Sequence, residues 1–318
     1  MKKSLVVVFC VIILSSLLAV PLLLKPPSAA SQSEQQATPQ STPQPTPNTT
    51  PESISQSIPK NTPETTESTP TSGLQPTNQP TNDKLEVAVN NAINYIAQTQ
   101  EPYALLMLNV LYRRFGIPEF NDSLQRYDQI LTSYPHPLLQ VYRRIADHNN
   151  TLDETDFNAV VDVMDTITVP ALYSDQRSLP DNYPSVLINA KNSGDYMMTH
   201  ALLATIWLQE NNCNISLPDN FIETLYHDTA ALTDRGPPIT DLALEAAAFL
   251  YQAGQGNLVD PAFVQNVIAA QFTNGGWSTT QNEPYNTNWH PSVLALMILL
   301  HVAHPAASHP PMIAPAPS

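Results

Sequence analysis

Three segments of the chain are apolar on nearly every face of a helix, which restricts the fold more than any other feature. They are GDYMMTHALLATIWLQ (194–209), TDLALEAAAFLYQAG (240–254) and HPSVLALMILLHVA (290–303). A helix that is apolar all round is normally buried on all sides. We therefore expect these three helices to form the centre of the folded part.

The three segments recur at a nearly constant spacing. Asp195 and Asp241 are 46 residues apart, and Asp241 and His290 are 49 residues apart. More amphipathic helices are predicted between them, over roughly 218–231 and 261–271. This alternation is typical of one helical hairpin per repeat. Stacked hairpins run as an open solenoid or close into a ring, in which the apolar helices form the inner wall.

The rest of the folded part is also predicted to be helical, because strand-like alternation is absent and turn residues fall between helical segments. The fold class is therefore all-α. A helix from Asp153 is expected to extend through Met164, whereas 168–183, with Pro170 and Pro180, is predicted to be irregular. The other predicted helix starts are Asp83, Pro102, Asn121 or Asp122, Pro137 and Pro184.

The segment QFTNGGW (271–277) lies between an amphipathic and an apolar helix. It resembles the QW motif of the terpenoid cyclase and prenyltransferase α/α-toroid superfamily, which joins an outer helix to the next inner one. The resemblance implies an α/α-toroid, a partial or closed ring of hairpins, for 83–305. Gln271 is suited to bond free backbone groups at a helix end, Gly275 permits unusual turn geometry, and Trp277 is expected to pack over the seam between repeats.

The catalytic motifs of that superfamily are absent. The chain has no Asp-x-Asp-Asp acid motif, no Asp-x-Cys pair of the farnesyltransferase zinc site and no Gly-Cys-Gly-Glu-Gln thioester. The resemblance therefore implies a shape and carries no activity with it.

The N-terminal segment 1–25 is predicted to be a signal-anchor helix or a cleaved signal peptide. Residues 5–24 are uncharged and apolar, long enough to cross the roughly 30 Å hydrocarbon core of a bilayer. A small-residue cleavage site ending at Ala30 supports the second alternative. Lys2 and Lys3 favour the cytoplasmic side, which places the remaining chain outside, membrane-tethered or secreted.

Two further segments are predicted to be disordered. The linker 26–82 holds 12 of the 31 prolines and no aromatic residue, so it cannot bury enough apolar surface to offset its conformational entropy. The tail 306–318 is rich in Pro and Ala. Both are interpreted as segments outside the folded domain 83–305.

The folded part is acidic. From Asp83 onwards the chain has 9 Lys and Arg and 24 Asp and Glu residues, a net charge of −15. This charge argues against nucleic acid or anionic lipid as a partner of the domain and is compatible with a divalent metal. Cys213 is the only cysteine after Cys10, so no disulfide forms within the domain.

Asp241 and Glu245 are the strongest candidates for chemistry. They lie at i and i+4, hence on one helix face, and are the only charged residues of their segment. Buried together, two carboxylates need a cation, a donor or a shared proton, as in an acid–base pair or a metal site. The alternative is that both point into water at the start of the helix.

Polar first turns on the other two apolar helices supply the remaining candidates. The predicted catalytic group is Asp195, Tyr196, His200, Asp241 and Glu245. The predicted ligands of a divalent metal are His200, Glu245 and His290, two imidazoles and a carboxylate from three adjacent helices. In the alternative interpretation His200 is a buried core histidine and His290 caps its helix.

Two functions follow. In the first, the domain is an extracytoplasmic hydrolase or lyase that acts on a glycan or small molecule by acid–base or metal-assisted chemistry. In the second, it is a non-catalytic module that binds a ligand or a partner protein.

Overall fold

The computed structural model describes residues 82–235, 239–279, 287–305 and 309–316. These residues are all-α, with no strand among them, which confirms the predicted class. In chain order the α-helices are α1 (Asn82–Ile96), α2 (Pro102–Phe115), α3 (Ser123–Ser133), α4 (Pro137–Tyr142), α5 (Glu154–Asn158), α6 (Val163–Leu172), α7 (Tyr183–Ser193), α8 (Asp195–Glu210), α9 (Phe221–Ala230), α10 (Asp241–Gln252), α11 (Pro261–Ala269) and α12 (Trp289–Ala303).

The three apolar segments form α8, α10 and α12, and nearly every residue of each helix after its first turn is buried. Side-chain caps determine where two of them begin. Thr240 accepts a hydrogen bond from the backbone N–H of Ala243 at 3.1 Å, and Asn288 accepts one from His290 at 3.1 Å. Both caps satisfy backbone donors that the helix itself leaves free.

Buried and half-exposed helices alternate along the chain. Helix α8 packs against α6 and α10, α10 packs against α12, and α12 packs against α2. The odd-numbered helices cover these from outside: α7 and α9 lie on α8, and α1 and α11 lie on α12. Helix α7 shows how an outer helix buries a single face: its buried residues Tyr183, Leu187 and Ala190 lie at i, i+4 and i+7.

The segment from Gln271 to Trp277, which follows α11, forms hydrogen bonds with α1, α11 and α12. Gln271 donates hydrogen bonds to a carbonyl of α1 at 2.8 Å and to Gly275 at 3.0 Å. Gly275 has φ +90°, and a Cβ there would lie 2.2 Å from the carbonyl oxygen of Asn91. Trp277 is buried, and its indole N–H donates to Val267 in the last turn of α11 at 2.7 Å. The indole, rather than Gln271, therefore satisfies this helix end.

The predictions for 153–183 are wrong in two respects. The helix that begins after Asp153 ends at Asn158, and a second helix, α6, begins after Asp162, whose side chain accepts a hydrogen bond from Met164 at 2.8 Å. Helix α6 then continues through Pro170 to Leu172. Its face against α8 is buried, and this packing outweighs the backbone hydrogen bond that a proline removes from a helix.

The prediction of a disordered tail at 306–318 also differs from the structure. Residues 309–316 lie against the helices, and Met312, Ile313 and Ala314 are buried. The composition predicted disorder because the segment is rich in proline and alanine. It also contains an apolar Met-Ile pair, and this pair packs on the core.

The predicted membrane helix (1–25) and linker (26–82) lie outside the described residues, apart from Asn82, where α1 begins. Among the described residues, no helix combines the length and the apolar character that crossing a bilayer requires.

Candidate functional site

The first turns of α8, α10 and α12 bring six polar side chains together in the interior. Asp241 and Glu245 come from α10 and His290 from α12, while α8 supplies Tyr196, Thr199 and His200. The i, i+4 spacing places both carboxyl groups on one face of α10, as predicted. The alternative in which both point into water is wrong, because Asp241 is 6% and Glu245 0% exposed.

Asp241 holds His290. The Nδ1 atom of His290 lies 2.9 Å from Oδ1 and 3.0 Å from Oδ2 of Asp241. The hydroxyl of Tyr196 donates to Oδ2 at 3.1 Å. These contacts fix the orientation of the imidazole ring and turn its other nitrogen, Nε2, away from Asp241. His290 is therefore not the cap of α12; Asn288 is.

Glu245 is the most isolated carboxyl group of the cluster. Thr199 donates a hydrogen bond to its Oε1. Its Oε2 and the Nε2 atom of His290 have no hydrogen-bond partner among the described residues, although the two lie 3.8 Å apart. Burial raises the pKa of Glu245 well above its usual range, and the neighbouring Asp241 charge adds to the rise, against the Thr199 bond. Burial therefore favours the neutral form of the Glu245 carboxyl group.

His200 is buried beside Glu245, but its ring bonds to the main chain of its own helix. Its Nδ1 atom lies 2.7 Å from the backbone carbonyl oxygen of Tyr196 and 3.6 Å from Oε1 of Glu245. The second distance is too long for a hydrogen bond. Burial lowers the pKa of His200 to about 4, so the ring is neutral near pH 7. His200 is therefore buried as the alternative interpretation expected, but its hydrogen-bond partner belongs to its own helix and not to a neighbouring one.

One group within the described residues has metal-ligating geometry. Asp241, Glu245 and His290 each offer a ligand atom, and these atoms lie within 4.8 Å of one another. The predicted set was His200, Glu245 and His290; the structure places Asp241, not His200, in the group. A set of imidazole and carboxylate donors suits zinc and neighbouring divalent transition metals.

Two residues differ from the predicted catalytic group. Asp195, the first residue of α8, is exposed with φ +44° and lies outside the ligand group. Thr199 was not predicted, yet it holds Glu245. Its position one helical turn after Tyr196, adjacent to His200, was the available signal, but a threonine on an apolar helix is more often a packing residue.

A small cavity adjoins the cluster at His290. Its volume is about 30 Å³, room for one or two water molecules. The walls come from α2, α4, α8, α10, α12 and the C-terminal segment, and they are mostly apolar and aromatic; among them are Tyr103, Trp207, Phe249, Trp289 and Met312.

Comparison of the chain with protein-family models, with curated proteins and with solved structures finds no match.

Proposed function

We propose that the Asp241–His290–Glu245 cluster binds one divalent transition-metal ion. One observation carries the proposal: Glu245 Oε2 and His290 Nε2 face each other at 3.8 Å, both buried and both without a hydrogen-bond partner among the described residues. Buried polar atoms in folded proteins are normally satisfied, so two such atoms facing each other indicate a missing partner.

The spacing of the two atoms fits an ion. Zinc lies about 2.1 Å from an imidazole nitrogen or a carboxylate oxygen, so two such atoms 3.8 Å apart would be close enough to hold one ion. Asp241 on the Nδ1 atom of His290 supplies the outer carboxylate that typically orients a metal-binding histidine. The ion would also keep Glu245 ionised despite its burial.

The chemistry that such an ion supplies is activation of water for hydrolysis or elimination. In this reading Glu245 and His290 hold the ion, Asp241 and Tyr196 orient His290, and Thr199 fixes Oε1 of Glu245. The cavity beside His290 has room for the water. The substrate would be a small molecule or the end of a glycan. It would reach the site from the side on which the buried helices begin.

The second candidate is a non-catalytic binding or scaffold module in which the ion is structural. The volume of the cavity, about 30 Å³, favours it, because a sugar or a comparable substrate does not fit there. The two candidates differ in whether the ion keeps a coordination position open to small molecules.

The proposed architecture is the α/α-toroid. Supporting it, α6 contacts α8, α8 contacts α10, α10 contacts α12, and α12 contacts α2. Tyr103 of α2 packs edge-on to Tyr142 of α4, and Tyr142 donates to Asp165 of α6. An experimental structure in which α2 and α12 are separated, as in an open solenoid, would contradict the ring.

We further propose that the domain is extracytoplasmic, tethered by 1–25 or secreted after its cleavage. Support for this comes from the sequence of 1–82 only. Protease treatment of intact cells that express the full chain tests it: the domain should be digested or found in the medium, and protection would contradict the proposal.

Metal titration of the purified full chain tests the site. We expect one equivalent of zinc or cobalt to bind and to raise the unfolding temperature, and a chelator to reverse the rise; at 100 times Kd the stabilisation is about 2.7 kcal/mol. His200→Gln is the matched variant, and it should still bind the ion because His200 lies outside the ligand group. Absence of binding, or its loss in H200Q, would overturn the assignment.

Cobalt then separates the two candidates. If the ion has an open position, azide added to the cobalt-loaded protein should change its visible absorption spectrum. An unchanged spectrum would favour the structural role and the non-catalytic module.

A further inference from the structure

Residues 309–316 form an extended C-terminal strap that lies across the helices. Met312, Ile313 and Ala314 are 0%, 4% and 8% exposed, although the segment contains no helix or strand. Such deep burial of an irregular segment requires that its backbone groups find partners.

Two charged side chains of the helices bind the strap through its main chain. Glu210, the last residue of α8, accepts hydrogen bonds from the N–H groups of Met312 at 2.7 Å and of Ile313 at 3.0 Å. Arg113, in the last turn of α2, donates to the carbonyl oxygens of Pro311 at 3.0 Å and of Met312. Because these bonds involve charged groups, each is stronger than a bond between neutral groups.

The strap also forms a hydrogen bond with the main chain of the helical part. The N–H of Ala314 donates to the carbonyl oxygen of Ile145, in the 3-10 helix Arg143–Ile145 that follows α4, at 2.9 Å. Arg113 also donates to the carbonyl oxygen of Ile145 at 3.2 Å. Arg113, Ile145 and Glu210 therefore line one cleft, which holds the strap. The cleft therefore binds an extended backbone, as peptide-binding proteins do, and buries the side chains of Met312, Ile313 and Ala314.

Of these three residues, Met312 lines the cavity that adjoins His290. Arg113 and Glu210 lie at the C-terminal ends of α2 and α8, whereas Tyr103 and His290 line the same cavity from the first turns of α2 and α12. The strap therefore closes the end of the cavity that lies opposite the polar cluster.

We propose that this cleft is a binding site for an extended peptide, that the chain's own residues 309–316 are its occupant, and that the strap detaches and rebinds while the helices stay folded. Its stability is local, because it is held by a few main-chain bonds and three buried side chains. Detachment opens the cavity from this end. The proposal does not rest on metal binding.

Thiol labelling of the full chain tests detachment. In a Cys10→Ser, Cys213→Ser background, Ala314→Cys places a probe in the strap, and Ala295→Cys places the matched probe in α12, where Ala295 is fully buried. We expect the A314C thiol to react at least about tenfold faster than the A295C thiol in native buffer, because strap opening precedes global unfolding. Equal rates would overturn the proposal.

Glu210→Gln is the second variant, since a neutral amide oxygen accepts the two N–H bonds less strongly than a carboxylate. It should raise the A314C labelling rate about tenfold and leave the A295C rate unchanged. Glu223→Gln, at an exposed position of α9, is the matched control and should change neither rate. No effect of E210Q on the A314C rate would contradict the role of the cleft.

A peptide supplied in trans tests whether the cleft is a true binding site. The synthetic peptide HPPMIAPA, the sequence of 309–316, should compete with the strap and accelerate A314C labelling in a saturable manner. HPPDIAPA, with aspartate at the position of Met312, should have no effect, because the cavity does not accommodate a charge. Failure of the first peptide, or equal action of the second, would overturn the proposal.

Discussion

Helix α12 carries a buried histidine near each end, and the two occupy opposite environments. His290, in the first turn, faces the carboxylate of Asp241 and, at 3.8 Å, that of Glu245. His301, in the last turn, faces rings: Phe115 at 5.0 Å, His309 at 4.7 Å and Tyr251 at 5.8 Å between centroids. Both are less than 10% exposed, so burial alone does not decide what a histidine does.

The difference lies in what the neighbours supply. The Nδ1 atom of His301 lies 2.8 Å from the carbonyl oxygen of Met297, a bond within its own helix. Among the described residues, no carboxylate forms an ion pair with this ring. The pKa of His301 is lowered to about 3, mainly by burial and to a smaller extent by Arg114 and His309, while the Met297 bond acts in the opposite direction. His301 is therefore a neutral packing residue, whereas His290 has the anionic partner that a metal ligand or proton carrier needs.

The largest expected effect separates the two histidines directly. His290→Gln should lose more than the roughly 10–100-fold in metal affinity that removal of an outer partner costs, because it removes a ligand. His301→Gln is the matched change at the other end of α12 and should bind the ion as the parent protein does. Isothermal titration with zinc measures both affinities. Equal zinc affinities of the two variants would contradict the assignment of His290, and not His301, as a metal ligand.

The second prediction concerns the loop that leads to the first turn of α12. Gly275→Ala should lower the free energy of unfolding by about 3 kcal/mol, because the new Cβ would meet the carbonyl oxygen of Asn91 at 2.2 Å and this backbone cannot yield without moving α1. Gly254→Ala, after α10, is the control: φ is +73° but the space is open, so only about 1 kcal/mol of backbone strain is expected. Urea unfolding measures both, and equal losses would mean that the loop does not pack on α1 as described.

The third prediction concerns the pH dependence of stability that His301, in the last turn of α12, causes. In the unfolded chain His301 binds a proton below about pH 6.5, whereas the folded protein keeps it neutral down to a pKa of about 3. The unfolded state then holds more protons, so stability is complete above pH 6.5 and falls as the pH decreases towards 3. The contribution between pH 7 and pH 5 is about 2 kcal/mol.

Urea unfolding at pH 5 and pH 7 measures this contribution as a difference between variants. His301→Met should reduce the loss of stability on acidification, since methionine fills the site without binding a proton. His227→Gln, at an exposed position of α9, should not. An identical pH dependence of the parent protein and H301M would contradict the assignment of His301 as a buried neutral ring.

The same contrast explains what the sequence could predict. The apolar character of α8, α10 and α12 is local, repeats along the chain and survives in the structure, and the pairing of Asp241 with Glu245 follows from helix geometry. Where a side chain points across helices is not local. Asp241 rather than His200 joins Glu245 and His290 in the cluster, because Nδ1 of His200 already bonds within its own helix.

The failures have similar causes. The continuation of α6 through Pro170 depends on packing against α8, which no property of the segment itself reveals. The strap was mistaken for a disordered tail because its binding depends on Glu210 and Arg113, distant in sequence. Composition predicts how much apolar surface a segment carries, but a partner elsewhere in the chain decides whether that surface is buried.

The smallest effect concerns the cap of α10, the helix that brings both carboxylates to the first-turn site. Thr240→Ala should cost about 1 kcal/mol, because it removes the oxygen that accepts the N–H of Ala243, and Thr240→Ser should retain most of the stability. Thermal unfolding of the metal-free protein measures the cost. Zinc affinity should stay within about twofold of the parent value in T240A, since Asp241 is held from the far side by His290 and Tyr196. A larger loss of affinity than of stability would mean that the cap, rather than these two partners, positions Asp241.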